Sequence, residues 1–195
     1  MRDDRLQLPK HLAGLYARLR ELNRVLREER WRRWGRIDPF VEALFGRTEK
    51  AEFFGAEGVV LHDSVIVNGE VAIGPNTHVG QFCSLDGSGG LIIGSHCSIA
   101  AGVRIMTHDS ARWAVSGGRE PIERAPVAIG DRCFIGVNAV VTRGVTVGEG
   151  SVIGAGAVVT RNIPAGSIAI GVPARVVGRV EECHGGVDFV FDRQR

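Results

Sequence analysis

Residues 127–160 read VAIGDRCFIGVNAVVTRGVTVGEGSVIGAGAVVT, and an aliphatic side chain returns at every sixth position: Ile129, Ile135, Val141, Val147, Ile153 and Val159. A helix repeats its apolar face every 3.6 residues and a half-buried strand every two, so neither selects each sixth residue this strictly. A hexapeptide period is instead the signature of a parallel β-helix, in which each hexad supplies one short strand and one turn. Upstream, the same column runs through Leu61, Val67, Ile73, Val79 and Leu85, slips by two residues, and continues at Ile93, Ile99 and Ile105. Seven of these aliphatics are followed directly by Gly (74, 80, 94, 130, 136, 148 and 154), which tolerates unusual backbone angles or tight packing at a turn. The residue two before each aliphatic is small or β-branched almost throughout, as at Val65, Thr77, Cys83, Cys97, Val103, Cys133, Ala139 and Ser151. Strand periodicity puts that position on the same inward face. Three of the four cysteines fall there and read as small core fillers.

The remaining composition fits such a coil. The chain has 195 residues, enough for one ordinary domain with its own core. Its 27 Gly against 7 Pro point to many turns rather than disorder. No Cys-x-x-Cys pair occurs, so neither a zinc knuckle nor a redox dithiol is suggested. The net charge of +2 is unevenly spread, with +6 in residues 1–36 and −4 in the rest. No apolar run has the length of a membrane span, and the charged N-terminus lacks the apolar stretch of a signal peptide. A cytoplasmic protein without a nucleic-acid partner is expected.

Residues 5–34 read as an amphipathic helix, with Leu8, Leu12, Leu15, Leu19, Leu22 and Leu26 in one stripe. Asp38-Pro39 then offers an N-cap followed by Pro at the first helical position, starting a short second helix towards Phe45. Two readings of this segment stay open. The leucine stripe packs against the coil or a neighbouring subunit, or the basic helix makes weak peripheral contact with a membrane surface through Trp31 and Trp34 in RWRRWGR. The expected organisation is an N-terminal helical segment at 1–57, the β-helix at 58–179, and a C-terminal tail at 180–195.

The repeat breaks once, in RIMTHDSARWAVSGGREPIERAPVAIGD from Arg104 to Asp131. Ile105 and Ile129 lie four hexads apart, yet residues 111–126 carry no hexad pattern. Trp113, the Gly117-Gly118 pair and five charged residues suit a protruding loop at 109–127. A regular coil expels such a loop when the loop covers something. At its base stand Thr107, His108 and Asp109. Of the six histidines, His11, His62, His78, His96 and His184 read as surface or packing residues. His108, where a strand ends and a lid begins, is sited to act as a base near neutral pH.

Residues 61–179 resemble the left-handed β-helix, hexapeptide-repeat acyltransferases. The stretch GVTVGEGSVIGAGAVVTRNIPAGSIAIGVPARVV (144–177) is similar to their sugar O-acetyltransferase branch, which includes galactoside and maltose acetyltransferases. The resemblance implies acetyl-CoA as cosubstrate, no metal, and His108 as the catalytic base for transfer to a hydroxyl. It places Val137 beside the thioester, where valine offers its amide, and Phe134 as an apolar wall where the family usually has Trp. It places Ala155 along the pantetheine arm. Thr160, Arg161 and Arg175 would meet the adenosine and phosphates. On the acceptor side Asp86, Asp109 and Trp113 are the candidates. Asp86 orients an acceptor hydroxyl, orients His108 across a subunit boundary, or shapes the Asp-Gly turn. The lid HDSARWAVSGG looks more like enzymes of bacterial surface-polysaccharide synthesis, so a sugar or polysaccharide precursor is the expected acceptor. Related enzymes are homotrimers.

Three other functions compete. The first is N-acetylation of a nucleotide-linked amino sugar, which would use the same coil and cosubstrate. A zinc-dependent carbonic anhydrase would need three imidazoles converging on one metal, whereas His96 and His108, twelve residues apart, fall on different sides of a coil with three hexads per turn. A non-catalytic scaffold would need no lid, no His at its base and no cationic groove.

Overall fold

The computed structural model describes residues 10–34 and 50–192, and the chain divides into two units, 1–46 and 47–195. The first contains helix α1, Lys10–Trp34. Its surface carries ion pairs at helical spacing, with Arg24 joined to Glu21 and Glu28, and Arg32 and Arg33 to Glu29. The short helix expected from Asp38, and Leu8 of the leucine stripe, lie outside the described residues. No described helix is long and apolar enough to cross a membrane.

The second unit is a parallel β-solenoid of six rungs. On its first face strands β1 (Val60–Leu61), β3 (His78–Val79), β5 (Ser98–Ile99), β10 (Phe134–Ile135), β13 (Val152–Ile153) and β15 (Ser167–Ile170) stack in that order. The second face stacks β6 (Arg104–Ile105), β11 (Val140–Val141) and β14 (Val158–Val159), and the third stacks β9 (Val127–Ile129) and β12 (Thr146–Val147). Two longer strands, β2 (Ile66–Ile73) and β4 (Ser84–Ile93), run through the corner between the second and third faces and belong to both. Pairing registers give the length of each turn. Val60 pairs with His78, Phe134 with Val152, but His78 pairs with Ser98, and Ser98 with Phe134. One turn is thus longer by the two-residue slip, and the next by eighteen residues, a whole turn's worth. The repeat resumes in step because the excursion is a corner insertion that leaves the stack above and below in register.

The column of fourteen aliphatics forms the core. All but the half-buried Val67 are buried, ten of them with no exposed surface. The inward companions Cys83, Cys97 and Cys133 are buried as well, and they do more than fill space. Sγ of Cys97 donates to the Gly130 carbonyl at 3.1 Å and Sγ of Cys133 to that of Gly148 at 3.2 Å, each in the next turn. Thr77 and Ser151 make the same bond with hydroxyls, to Gly94 at 2.7 Å and Pro164 at 2.9 Å. These carbonyls face the interior, where an unmet acceptor is costly. The glycines after the aliphatics serve close approach: a Cβ on Gly136 would sit 2.5 Å from the Ala155 nitrogen, and one on Gly148 2.3 Å from that of Ala165.

The ends of the coil differ from the expected boundaries. A 3₁₀ turn at Lys50–Phe54 caps the first rung, with Ala51 buried and Lys50 Nζ donating to the carbonyls of Asp63 (2.8 Å) and Val65 (2.5 Å). The segment expected as a tail is a hairpin. Strands β16 (Arg175–Cys183) and β17 (Gly186–Phe191) pair antiparallel and extend the first face beyond β15. The sequence has the means: Val187, Phe189 and Phe191 alternate, and Gly185 turns the chain at φ +87°.

Candidate active site

The excursion leaves and returns at the corner between the second and third faces. Strand β7 (His108–Asp109) pairs antiparallel with β8 (Glu123–Arg124), so the expected loop is an arm with a two-stranded stem. Its tip holds a five-residue helix, α2 (Ala111–Val115). Asp109 starts that helix by accepting the Ala111 amide at 2.7 Å, and Trp113, 48% exposed, packs near Gly118.

One turn earlier, the two-residue slip widens the same corner to Asp86-Gly87-Ser88-Gly89-Gly90. Leu85 pairs with Ile105, so this widened turn lies directly beneath Thr107 and His108. Gly89 has no room for a side chain: a Cβ there would lie 2.6 Å from the Thr107 carbonyl, and its amide donates to Thr107 Oγ1 at 2.8 Å.

Asp86 is 3% exposed. Its Oδ2 lies 2.7 Å from His108 Nδ1 and accepts the Thr107 amide (2.8 Å) and hydroxyl (2.9 Å). Its Oδ1 accepts the Ser88 amide at 3.1 Å. Burial works against the charge of Asp86, but the donors from His108, Thr107 and Ser88 outweigh it and hold the carboxyl well below its ordinary range. The group is therefore ionised at neutral pH and can only accept. Nδ1 of His108 is therefore the donor, and in the neutral ring Nε2 carries the lone pair, on a side chain that is 36% exposed. The arrangement is a buried carboxylate aligning a partly exposed imidazole.

The sequence had set Asp86 on the acceptor side, or reaching His108 across a subunit boundary. The structure puts it under His108 of its own chain, 2.7 Å from Nδ1, with its Oδ1 accepting the Ser88 amide within the Asp-Gly turn. Two residues to which the sequence assigned no role join the site: Thr107, named only as part of the loop's base, and Ser88, not singled out at all. Thr107 fixes the carboxylate with both its amide and its hydroxyl, and Ser88 Oγ stands 3.4 Å from His108 Nδ1. The slip in the repeat was their signal, since it sets 88 one rung from 108.

The other candidates are spread along the coil. Thr160 and Arg161 occupy the same corner as His108, two turns further on, and both are exposed. Among the described residues, none forms an ion pair with Arg161. Val137, 46% exposed, and Ala155 stack on successive turns of the corner between the first and second faces, tied by the Gly156 amide donating to the Val137 carbonyl at 2.8 Å. The N–H of Val137 has no partner among the described residues. Arg175 is exposed at the start of β16. Phe134, 42% exposed, lies on the first face and lines a cleft of about 650 Å³ with Val152, Val187 and Phe189. One chain thus gathers Asp86, His108, Asp109 and the arm with Trp113, and keeps Phe134, Val137 and Ala155 elsewhere. His96 lies at the corner between the third and first faces, apart from His108, and no group of three metal-ligating side chains occurs among the described residues.

Comparison with known proteins adds the following. The family model for the hexapeptide repeat of succinyl-transferase matches residues 126–161. A sequence search of curated proteins gives no match. Among solved structures, the polySia specific acetyltransferase NeuO is similar at 25% identity and a TM-score of 0.51, over 64% of this chain and 67% of its own. An Asp-to-Ala mutant of AntD, an N-acyltransferase from Bacillus cereus in complex with dTDP and coenzyme A, is similar at 23% identity and a TM-score of 0.58, over 64% and 71%. Wild-type AntD with dTDP and 3-hydroxybutyryl-CoA gives 17% and 0.59, over 69% and 89%. The chain thus carries a hexapeptide repeat at 126–161 and folds as a parallel β-solenoid.

Proposed function

We propose that the protein is an acetyl-CoA-dependent acyltransferase that moves an acetyl group to a hydroxyl of a sugar or polysaccharide precursor, with His108 as general base. The observation that carries the reading is the Asp86–His108 pair, which leaves Nε2 free at the base of an arm. A hydroxyl is a poor nucleophile until its proton is removed, and an aligned imidazole meets that need. An amine needs a base less. Likeness to NeuO, a polySia specific acetyltransferase, supports a saccharide acceptor.

His108 Nε2 accepts the hydroxyl proton while the new C–O bond forms at the thioester carbonyl. It returns that proton to the departing thiolate as the C–S bond breaks. The unpartnered N–H of Val137 is a donor of the kind that stabilises negative charge on the carbonyl oxygen. Ala155, one turn on, leaves space for the pantetheine arm. Arg161 and Arg175 suit phosphate through charge-assisted bonds. Acetyl-CoA as donor places the reaction in the cytoplasm.

A coil is convex, and ligand sites are concave. Because His108 and Val137 stand on different corners, we expect a homotrimer in which one chain's arm faces another chain's coil. Light scattering should give the mass of three chains, and a monomer that is fully active would refute the shared site.

The deciding experiment incubates the protein with acetyl-CoA and a panel of neutral saccharides, polysaccharide precursors and nucleotide-linked amino sugars. Thiol release and product mass are measured. An ester, cleaved by mild hydroxylamine, is expected. A resistant amide on an amino sugar would replace hydroxyl transfer with N-acetylation, and no transfer to any acceptor would sink the reading.

A further inference from the structure

We infer that Arg143 is a positioning residue that clamps the stem of the arm and thereby fixes His108; this rests on the role proposed for His108. Nothing in the repeat asks for a cation at 143. Its turn, Thr142-Arg143-Gly144, has the ordinary length and follows the excursion by one rung at the same corner, since Ile105 pairs with Val141. From there the guanidinium reaches back across the rung. Its Nη2 is in close contact with Glu123 Oε2, on β8, and its Nε lies 3.9 Å from Asp109 Oδ2, on β7. One side chain therefore holds both strands of the stem. Glu123 is also 3.4 Å from Arg112 Nε, and Arg112 is 3.5 Å from Glu120, so the charges run from the coil to the tip of the arm.

The stem needs such a hold. Strand β7 is two residues long, pairs only with β8, and belongs to none of the three faces. From below, Asp86 restrains Thr107 and one nitrogen of His108. From above, the next rung holds Met106 through the Val141 carbonyl at 2.9 Å, and among the described residues Arg143 is the side chain of that rung that reaches both strands of the stem. Isolated surface ion pairs hold little, but here Arg143 and Glu123 are each only about one-third exposed (33% and 35%) and two carboxylates converge on one planar fork. Without it, Asp109, next to His108, loses its only ion-pair partner among the described residues, and Nε2 loses a fixed direction. Misplacement of a catalytic group by about 1 Å can cost roughly 100-fold in rate.

The test uses full-length Arg143→Gln and Arg143→Lys. The first readout is backbone hydrogen exchange, which needs no substrate. In Arg143→Gln the amides of Ala111 and Ala125, held by Asp109 Oδ1 and the Thr107 carbonyl, should exchange faster, while those of Ser98 and Phe134 on the first face keep their protection. The second is acetyl transfer. The expected result for Gln is a fall in kcat of roughly 10–100-fold with the KM for acetyl-CoA within about twofold of the parent. Lys, keeping the charge without the fork, should recover part of it. Unchanged exchange at 109–125 overturns the clamp. So does a change confined to KM, which would make Arg143 a ligand contact, or a uniform loss of protection, which would make it a fold residue. If the parent transfers nothing while the stem still loosens in Arg143→Gln, the clamp stands and the proposed chemistry falls.

Discussion

Two corners of the same coil have opposite characters. Between the third and first faces, four successive turns are each three residues long: Gly74-Pro75-Asn76, Gly94-Ser95-His96, Gly130-Asp131-Arg132 and Gly148-Glu149-Gly150. Each ends on a residue at positive φ, +56°, +55°, +55° and +67° in order. Between the second and third faces the turns instead run three residues, five, twenty-one and three (68–70, 86–90, 106–126 and 142–144). At the first corner Thr77, Cys97, Cys133 and Ser151 each donate to a carbonyl of the next turn. At the second, the same inward space holds an ionised carboxylate with its hydrogen bonds spent on a histidine. A solenoid can keep both, because each rung contacts only its neighbours and a corner insertion does not propagate.

The largest effect that can break this contrast is a pair of variants, one per region. His108→Ala at the irregular corner should lower kcat by on the order of 10²–10⁴-fold and leave the thermal midpoint within a few degrees of the parent. Ile135→Ala on the regular first face, where the side chain has no exposed surface, should do the reverse. It should cost about 2–5 kcal/mol of stability while the folded fraction keeps its turnover. Parallel measurements of turnover and urea midpoint check both. A His108 variant that keeps full turnover would remove the residue from the mechanism, and one that unfolds would erase the distinction between the two corners.

The regular part of the molecule was legible because the core repeats. Every aliphatic from Leu61 to Val159 announces a rung, and in-register stacking follows from the period alone. The irregular part was legible only as a break. The sequence marks where His108 stands, but its partners come from other rungs, and residue numbers give these only when the true turn length is known. Asp86 was therefore visible as a carboxylate with three competing roles, Thr107 stood at the base of the loop without a partner, Ser88 did not stand out, and Arg143 sat inside a turn that looked like all the others. The hairpin at 175–191 was missed for a different reason. Its alternation is a period of two following a period of six, and the hexapeptide column ends before it.

Asp86 sharpens the contrast with the smaller effect, because it ties the turn at 86–90 to His108 and, under the proposed function, would serve the coil and the chemistry together. Replacing it by Asn keeps the shape, yet an amide cannot accept from His108 Nδ1 and twice from Thr107 with the strength of a carboxylate. Hydrogen bonds to a charged group contribute about 1.5–3 kcal/mol each, so Asp86→Asn should lose a measurable part of the stability at pH 7, together with a fall in kcat smaller than that of His108→Ala. The pH dependence separates the ionised carboxylate from mere shape. Burial opposes the charge of Asp86, and the bonds from His108, Thr107 and Ser88 overcome it, so the folded-state pKa lies below the unfolded value of about 3.9. A group depressed in the folded state stabilises fully above the unfolded pKa, and that stabilisation is lost as the pH falls towards the folded one. The gap in urea midpoint between parent and Asp86→Asn should therefore be full at pH 7 and narrow once the pH drops below about 4, as the unfolded parent begins to take up its proton. A gap that is the same at pH 3 as at pH 7 would mean that the corner is held by the outline of the side chain and not by its charge.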